Sequence, residues 1–263
     1  MIAFIIPIHP KHYIFIYNLL DVIDTVINDW VDIYLVFSCE SDYDNFIKKD
    51  KIKKIIIPNV NTAGIVNYKK FFALEKLKDD MNYDYFIVCD AEITIIPENF
   101  NEKNILNIIN RIFENKIIYA GNNQSTIDIT KPCCKLLMND DKLEKVTEKY
   151  TLYSWWSDLP VYKREHLTYF FSLFDYNNVN WVHFDHLIYS YFLILHHDFT
   201  LLNITPILNH NWSLETYNTT NIDNLQILKS IHYSFSYIQN NWYRNCTLFL
   251  KNEGTFLVYH LDR

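Results

Sequence analysis

The chain has 263 residues, 49% of them apolar and 17% aromatic, with a formal net charge of −7. That length suits one large domain with a sizeable core, and the acidic balance excludes an electrostatic grip on nucleic acid, which needs basic patches. Only three glycines occur (Gly64, Gly121 and Gly254), which rules out a P-loop, a dinucleotide fingerprint and a G-x-S-x-G hydrolase elbow.

The first hundred residues alternate short apolar runs with helical patterns, as βα units do. Ile2 to Ile8 reads as a buried strand, Tyr13 to Ile27 as a helix, and Asp32 to Phe37 as a second strand ending in Ser38-Cys39-Glu40-Ser41. Ile52 to Ile57 is a third strand, Ile65 to Leu77 a helix, and Tyr85 to Cys89 a fourth strand. Strands apolar on both faces imply a mostly parallel sheet covered by helices, so the fold class is α/β.

Beyond Asp90 the expected order is a short strand (Ile93 to Ile96), a helix (Ile105 to Phe113) and a strand (Lys116 to Ala120). Asn122 to Lys149 is charged and irregular; Pro160 to Tyr162 is extended and Glu165 to Phe174 helical. From Phe184 the positions Leu187, Ile188, Tyr191 and Leu195 recur at helical spacing and define an amphipathic helix. Leu201 to Ile207 reads as a strand running into Asn209-His210-Asn211-Trp212, and the last forty residues mix helix and hairpin signals. No repeat or linker divides the chain, so residues 1–263 are expected to form one domain.

Five cysteines at irregular spacing, with no CxxC pair, fit free thiols in a reducing compartment. The apolar stretch Met1 to Pro10 lacks basic residues at its start and is interrupted by Pro7 and Pro10. Neither a signal peptide nor a transmembrane segment is expected, and the expected compartment is the cytoplasm.

Chemistry concentrates first in Tyr85-Phe86-Ile87-Val88-Cys89-Asp90-Ala91-Glu92, where an apolar strand ends in two carboxylates one residue apart. Ligands of open α/β sheets bind beyond the carboxyl ends of the strands. Carboxylates are hard donors that Mg²⁺ or Mn²⁺ accept beside phosphate oxygens. The plainer alternative is a solvated strand end. Upstream lies Asn61-Thr62-Ala63-Gly64-Ile65-Val66-Asn67, between the third strand and a helix.

With these residues in this order the chain resembles the GT-A-fold glycosyltransferases, in particular the inverting family with an Asn-x-x-Gly…Asn segment ahead of an acidic D-x-D. The likeness covers about the first 120 residues well and the rest loosely. It departs from the family in carrying Glu92 for the second Asp, and Ser38-Cys39-Glu40 where an Asp-rich turn is common. The resemblance implies a nucleotide-sugar-binding half (1–120) and an acceptor-binding, base-carrying half (121–263). The partners it implies are a nucleotide sugar, with UDP the expected nucleotide, and a glycan or other hydroxyl acceptor. Pro7, His9 and Glu40 would lie near the nucleotide, with Asn61, Gly64, Asn67, Asp90 and Ala91 around the donor, and Lys69 or Lys70 reaching a phosphate. Asp90, Glu92 and His210 would hold Mn²⁺ or Mg²⁺.

Asp185, at the start of the amphipathic helix, is the expected general base, although Asp in a first turn also serves as a cap. The segment Tyr153-Ser154-Trp155-Trp156-Ser157-Asp158-Leu159-Pro160 offers aromatic faces and a carboxylate to a sugar, with Asp158 an acceptor ligand or rival base; core packing is the other reading. Two rival functions stay open: a metal-dependent hydrolase built on His183, Asp185 and His186, and a glycan- or nucleotide-sugar-binding module without turnover.

Overall fold

The computed structural model describes residues 1–26, 30–47, 50, 52–95, 100–154, 161–203 and 258–260. Its frame is a five-stranded sheet in the order β3-β2-β1-β4-β8. These strands are β1 (Ile2–Pro7), β2 (Val31–Phe37), β3 (Lys53–Ile56), β4 (Tyr85–Val88) and β8 (Val161–Lys163). The first four run parallel and β8 closes the edge antiparallel to β4.

Alternation along β1 builds the core on both faces of this sheet. Ala3 and Ile5 pack with Tyr68, Phe71 and Leu74 of α3 (Ile65–Leu77), Phe170 of α7 (Arg164–Ser172) and Ile188 of α8 (Asp185–His196). Ile2, Phe4 and Ile6 point to the opposite face, against Ile16, Leu19 and Ile23 of α1 (Tyr13–Val26) and Ile105 and Ile109 of α4 (Glu102–Asn115). A period of two with both sets buried is what the uninterrupted apolar strands require.

The chain order places the functional end. From β1 the sheet grows one way through β2 and β3, then returns to the other side of β1 with β4. The carboxyl ends of β1 and β4 therefore flank the point where strand order reverses, which is where open α/β sheets form a ligand crevice.

Smaller sheets complete the fold. β6 (Ile117–Gly121) lies between β7 (Tyr153–Ser154) and β9 (Thr200–Asn203), and β5 (Ile93–Ile95) pairs antiparallel with β10 (Val258–His260). Segment 122–149, expected to be irregular, instead contains α5 (Gln124–Cys134) and α6 (Asp140–Val146), with α2 (Glu40–Asp44) the other short helix. Asparagine caps start both: Asn123 accepts from Thr126 N and Asn139 from Lys142 N. The charges that suggested a loop are their solvated faces. Trp155, Trp156, Asp158 and His210, with the end of the strand expected at Leu201 to Ile207 and most of the last forty residues, lie outside the described residues.

Candidate active site

Two adjoining clefts open beyond the ends of β1 and β4. The first, about 270 Å³, is lined by residues that include Pro7, His9, His12, Ser38, Lys69, Asp90, Ala91 and Glu92. The second, about 240 Å³, is lined by residues that include Gly64, Asn67, Lys70, Asp90, Trp181 and Phe184. Ile65, Val66 and Asp90 belong to both, so Asp90 stands on the divide. The turn after β1 and the acids after β4 thus share one crevice.

Helix α3 delivers Asn67, Lys69 and Lys70 to the two clefts. It is buried nearly all round, including Asn67, Lys69 and Lys70, at 5%, 3% and 6% exposure. Lys69 donates from Nζ to the carbonyl of Ile8, 2.5 Å away. Burial pulls its pKa down to about 8, against a weaker pull upward from Asp42. Lys70 has the opposite surroundings. Its Nζ lies 2.9 Å from Asp90 Oδ1 and 3.0 Å from Asp185 Oδ1. Burial alone would lower its pKa, but Asp185 and Asp90 outweigh that and hold it above the ordinary lysine value.

Asp185 is completely buried. One oxygen faces Lys70 and the other accepts a 2.5 Å hydrogen bond from Tyr162 of β8. Burial would raise its pKa, but Lys70, His186 and Tyr162 keep it below the usual carboxylate range. A general base must reach the acceptor's hydroxyl. Asp185 has no exposed surface, and its contacts with Lys70 and Tyr162 suit the positioning of Lys70.

The other acid of the pair, Glu92, has Oε1 3.0 Å from His12 Nε2. Among the described residues no group of three or more His, Cys, Asp or Glu side chains is gathered closely enough to hold a metal ion. Asp90 and Glu92 are two hard oxygen donors on one cleft wall, which is the chemistry a divalent cation shared with a diphosphate would use. His9 lines the first cleft while its Nδ1 accepts from Lys11 N, and burial and Lys69 lower its pKa. The loop after β2 reaches the cleft through Ser38, whereas Glu40 begins α2 and pairs with Lys54 at 3.0 Å.

The segment Asn61 to Asn67 braces the site. Asn61 is exposed, but Thr62 donates to the carbonyl of Val179 (2.9 Å) and Asn67 to that of Asn180 (3.1 Å). A Cβ on Gly64 would come within 2.6 Å of the backbone of Asn180, so only glycine allows the two chains to meet this closely. The histidines of the hydrolase reading do not gather around an open position. His183 Nδ1 accepts from Asn180 N, and Asp185 and His186 are buried. Trp181, His12, Phe184 and Tyr162 were not anticipated. Only the tryptophan and phenylalanine so near an expected acid could have suggested part of this.

The architecture is an α/β fold with a mostly parallel sheet between helices. Its likeness is to solved structures that include the apo form of the bifunctional glycosyltransferase WbbM, with TM-score 0.50 and 10% sequence identity. All of this chain aligns, over 46% of the WbbM chain, so it spans less than half that protein's length. No protein-family model and no curated sequence matches it. Among the described residues no helix is long and apolar enough to cross a membrane.

Proposed function

We propose that the chain is a GT-A-type glycosyltransferase that moves a sugar from a nucleotide sugar, UDP-linked by resemblance, to a hydroxyl acceptor with inversion. The observation that carries this reading is the convergence of Asp90, Glu92, Lys69 and the N-terminus of α3 at the reversal of strand order. A helix N-terminus and a lysine favour phosphate, while paired acids suit a cation that bridges to it. The fold likeness to WbbM, itself a bifunctional glycosyltransferase, supports the same class.

In this reading the nucleotide lies along the first cleft, past Pro7, His9 and Ser38. Asp90 and Glu92 would hold Mn²⁺ or Mg²⁺, with His210 the further ligand that the resemblance implies; such an ion supplies charge neutralisation for the leaving diphosphate. Lys69 adds a positive charge on the same wall. The acceptor oxygen bonds to the anomeric carbon as the carbon–oxygen bond to the diphosphate breaks, and the acceptor's proton passes to a base. Asp158 is the carboxylate to test in that role, and Asp185 keeps Lys70, and through it Asp90, in place.

Release of free nucleoside diphosphate from a panel of nucleotide sugars, with and without Mn²⁺, tests the reading. One donor should be hydrolysed slowly in the presence of metal. Asp90→Ala should lower that rate about 10²–10³-fold, the scale of losing one charge-stabilising group. Binding of a donor without any release would leave a binding module. Full activity of Glu92→Ala in excess chelator would remove the metal from the scheme.

A further inference from the structure

We propose that Trp181 is a platform for a pyranose ring of the acceptor, which makes the acceptor a carbohydrate; this rests on the transferase reading. The indole is 69% exposed, an unusual state for the largest apolar side chain, and it lines the second cleft. It does not stand there because its loop is loose. The carbonyls of Val179 and Asn180 are bound by Thr62 and Asn67, and Asn180 N–H donates to His183. Val182 N–H donates to Asn180 Oδ1 and its carbonyl accepts from the Cys133 thiol. Gly64 packs directly on the Asn180 backbone. A chain pinned on both sides of one exposed ring is preorganised to present that ring to a ligand.

The rest of the cleft fits the same occupant. Its volume of about 240 Å³ is below the roughly 300–1,000 Å³ of pockets that enclose drug-sized ligands, so it suits a single ring. Phe184 and the half-exposed Val66 continue the apolar wall, and Asp90 and Asn67 bring polar groups to the same space. A pyranose has this division: C–H faces that lie on an aromatic ring and hydroxyls at the edge that bond to carboxylate and amide. The cleft adjoins the one assigned to the donor at Asp90, so an acceptor held there is next to the proposed diphosphate site.

Saturation-transfer NMR with methyl glucoside, galactoside, mannoside and N-acetylglucosaminide at millimolar concentration tests this on the wild-type chain, Trp181→Ala and Trp181→Phe. Because the side chain is exposed, both variants should unfold at the wild-type temperature. At least one pyranoside should bind the wild type, bind Trp181→Phe comparably, and bind Trp181→Ala about tenfold more weakly. Absence of binding to the wild type, or undiminished binding to Trp181→Ala, overturns the proposal. So does loss of UDP binding with the tryptophan, since the ring would then hold the nucleobase. If a pyranoside behaves as expected while UDP with Mn²⁺ binds no variant, the platform stands and the transferase reading falls.

Discussion

The two clefts share Asp90 yet are built on opposite principles. The first is polar: Lys69, Glu92, His9 and His12 line it, and a backbone carbonyl is the hydrogen-bond acceptor that Lys69 reaches. The second is aromatic, and its lysine is neutralised in advance, with Lys70 between Asp90 and Asp185. Adjacent lysines on one helix thus have opposite fates. A lysine already paired inside the fold contributes order, whereas Lys69, bonded among the described residues to a neutral carbonyl, is the one that the proposed reading sets against the diphosphate.

The largest effect expected from breaking this contrast is on Lys70. Removing one partner of a buried ionic group leaves the others uncompensated, at a cost of about 3–5 kcal/mol. Lys70→Met should therefore lower unfolding free energy by about that amount in urea, since it strands the completely buried carboxylate of Asp185. Tyr162 would be left as a neutral donor to that carboxylate. The double variant Lys70→Met with Asp185→Leu should recover much of the loss. If Lys70→Met alone is as stable as the wild type, the pairing is not what organises the second cleft.

Gly64 gives a smaller and more local break. Gly64→Ala must displace the backbone of Asn180, because the new Cβ would lie 2.6–2.7 Å from three of its atoms. Overpacking of this kind costs about 1–3 kcal/mol. The displaced loop carries Trp181, so pyranoside binding should weaken while UDP binding stays near the wild-type level. Equal weakening of both ligands would mean that the clefts are coupled through the wall they share, Ile65, Val66 and Asp90.

Much of this contrast lies beyond local sequence patterns, for identifiable reasons. Helix α3 was legible to the residue, Ile65 to Leu77, because Gly64 and the strand before it punctuate the chain. Strands β1 and β4 were legible because both their faces are apolar. The acids after β4 were placed by the rule that ligands meet strand ends. The partnership of Lys70 with Asp185, by contrast, spans 115 residues and follows from how α8 packs on α3. Asp185 at a helix start looks the same in sequence whether it caps, catalyses or neutralises a lysine. Helices α5 and α6 were missed because short, charged helices carry weak periodicity, although Asn123 and Asn139 marked where they begin.

The last contrast belongs to Lys69 and is read in pH. Its folded pKa of about 8 lies below the ordinary 10.5, so between those values the unfolded chain binds more protons than the folded one. Stability should therefore rise with pH across that window, and Lys69→Met should remove the rise. Donor use should move the other way. If the ammonium of Lys69 meets the diphosphate, kcat/KM for the donor should fall as pH passes about 8 and the charge is lost from the free protein. In Lys69→Met that fall should vanish and the value should be uniformly low. Lys70, held charged by two acids, should give no inflection in this range. The same fall in kcat/KM in Lys69→Met would assign the titration to another group and erase the distinction between the two lysines.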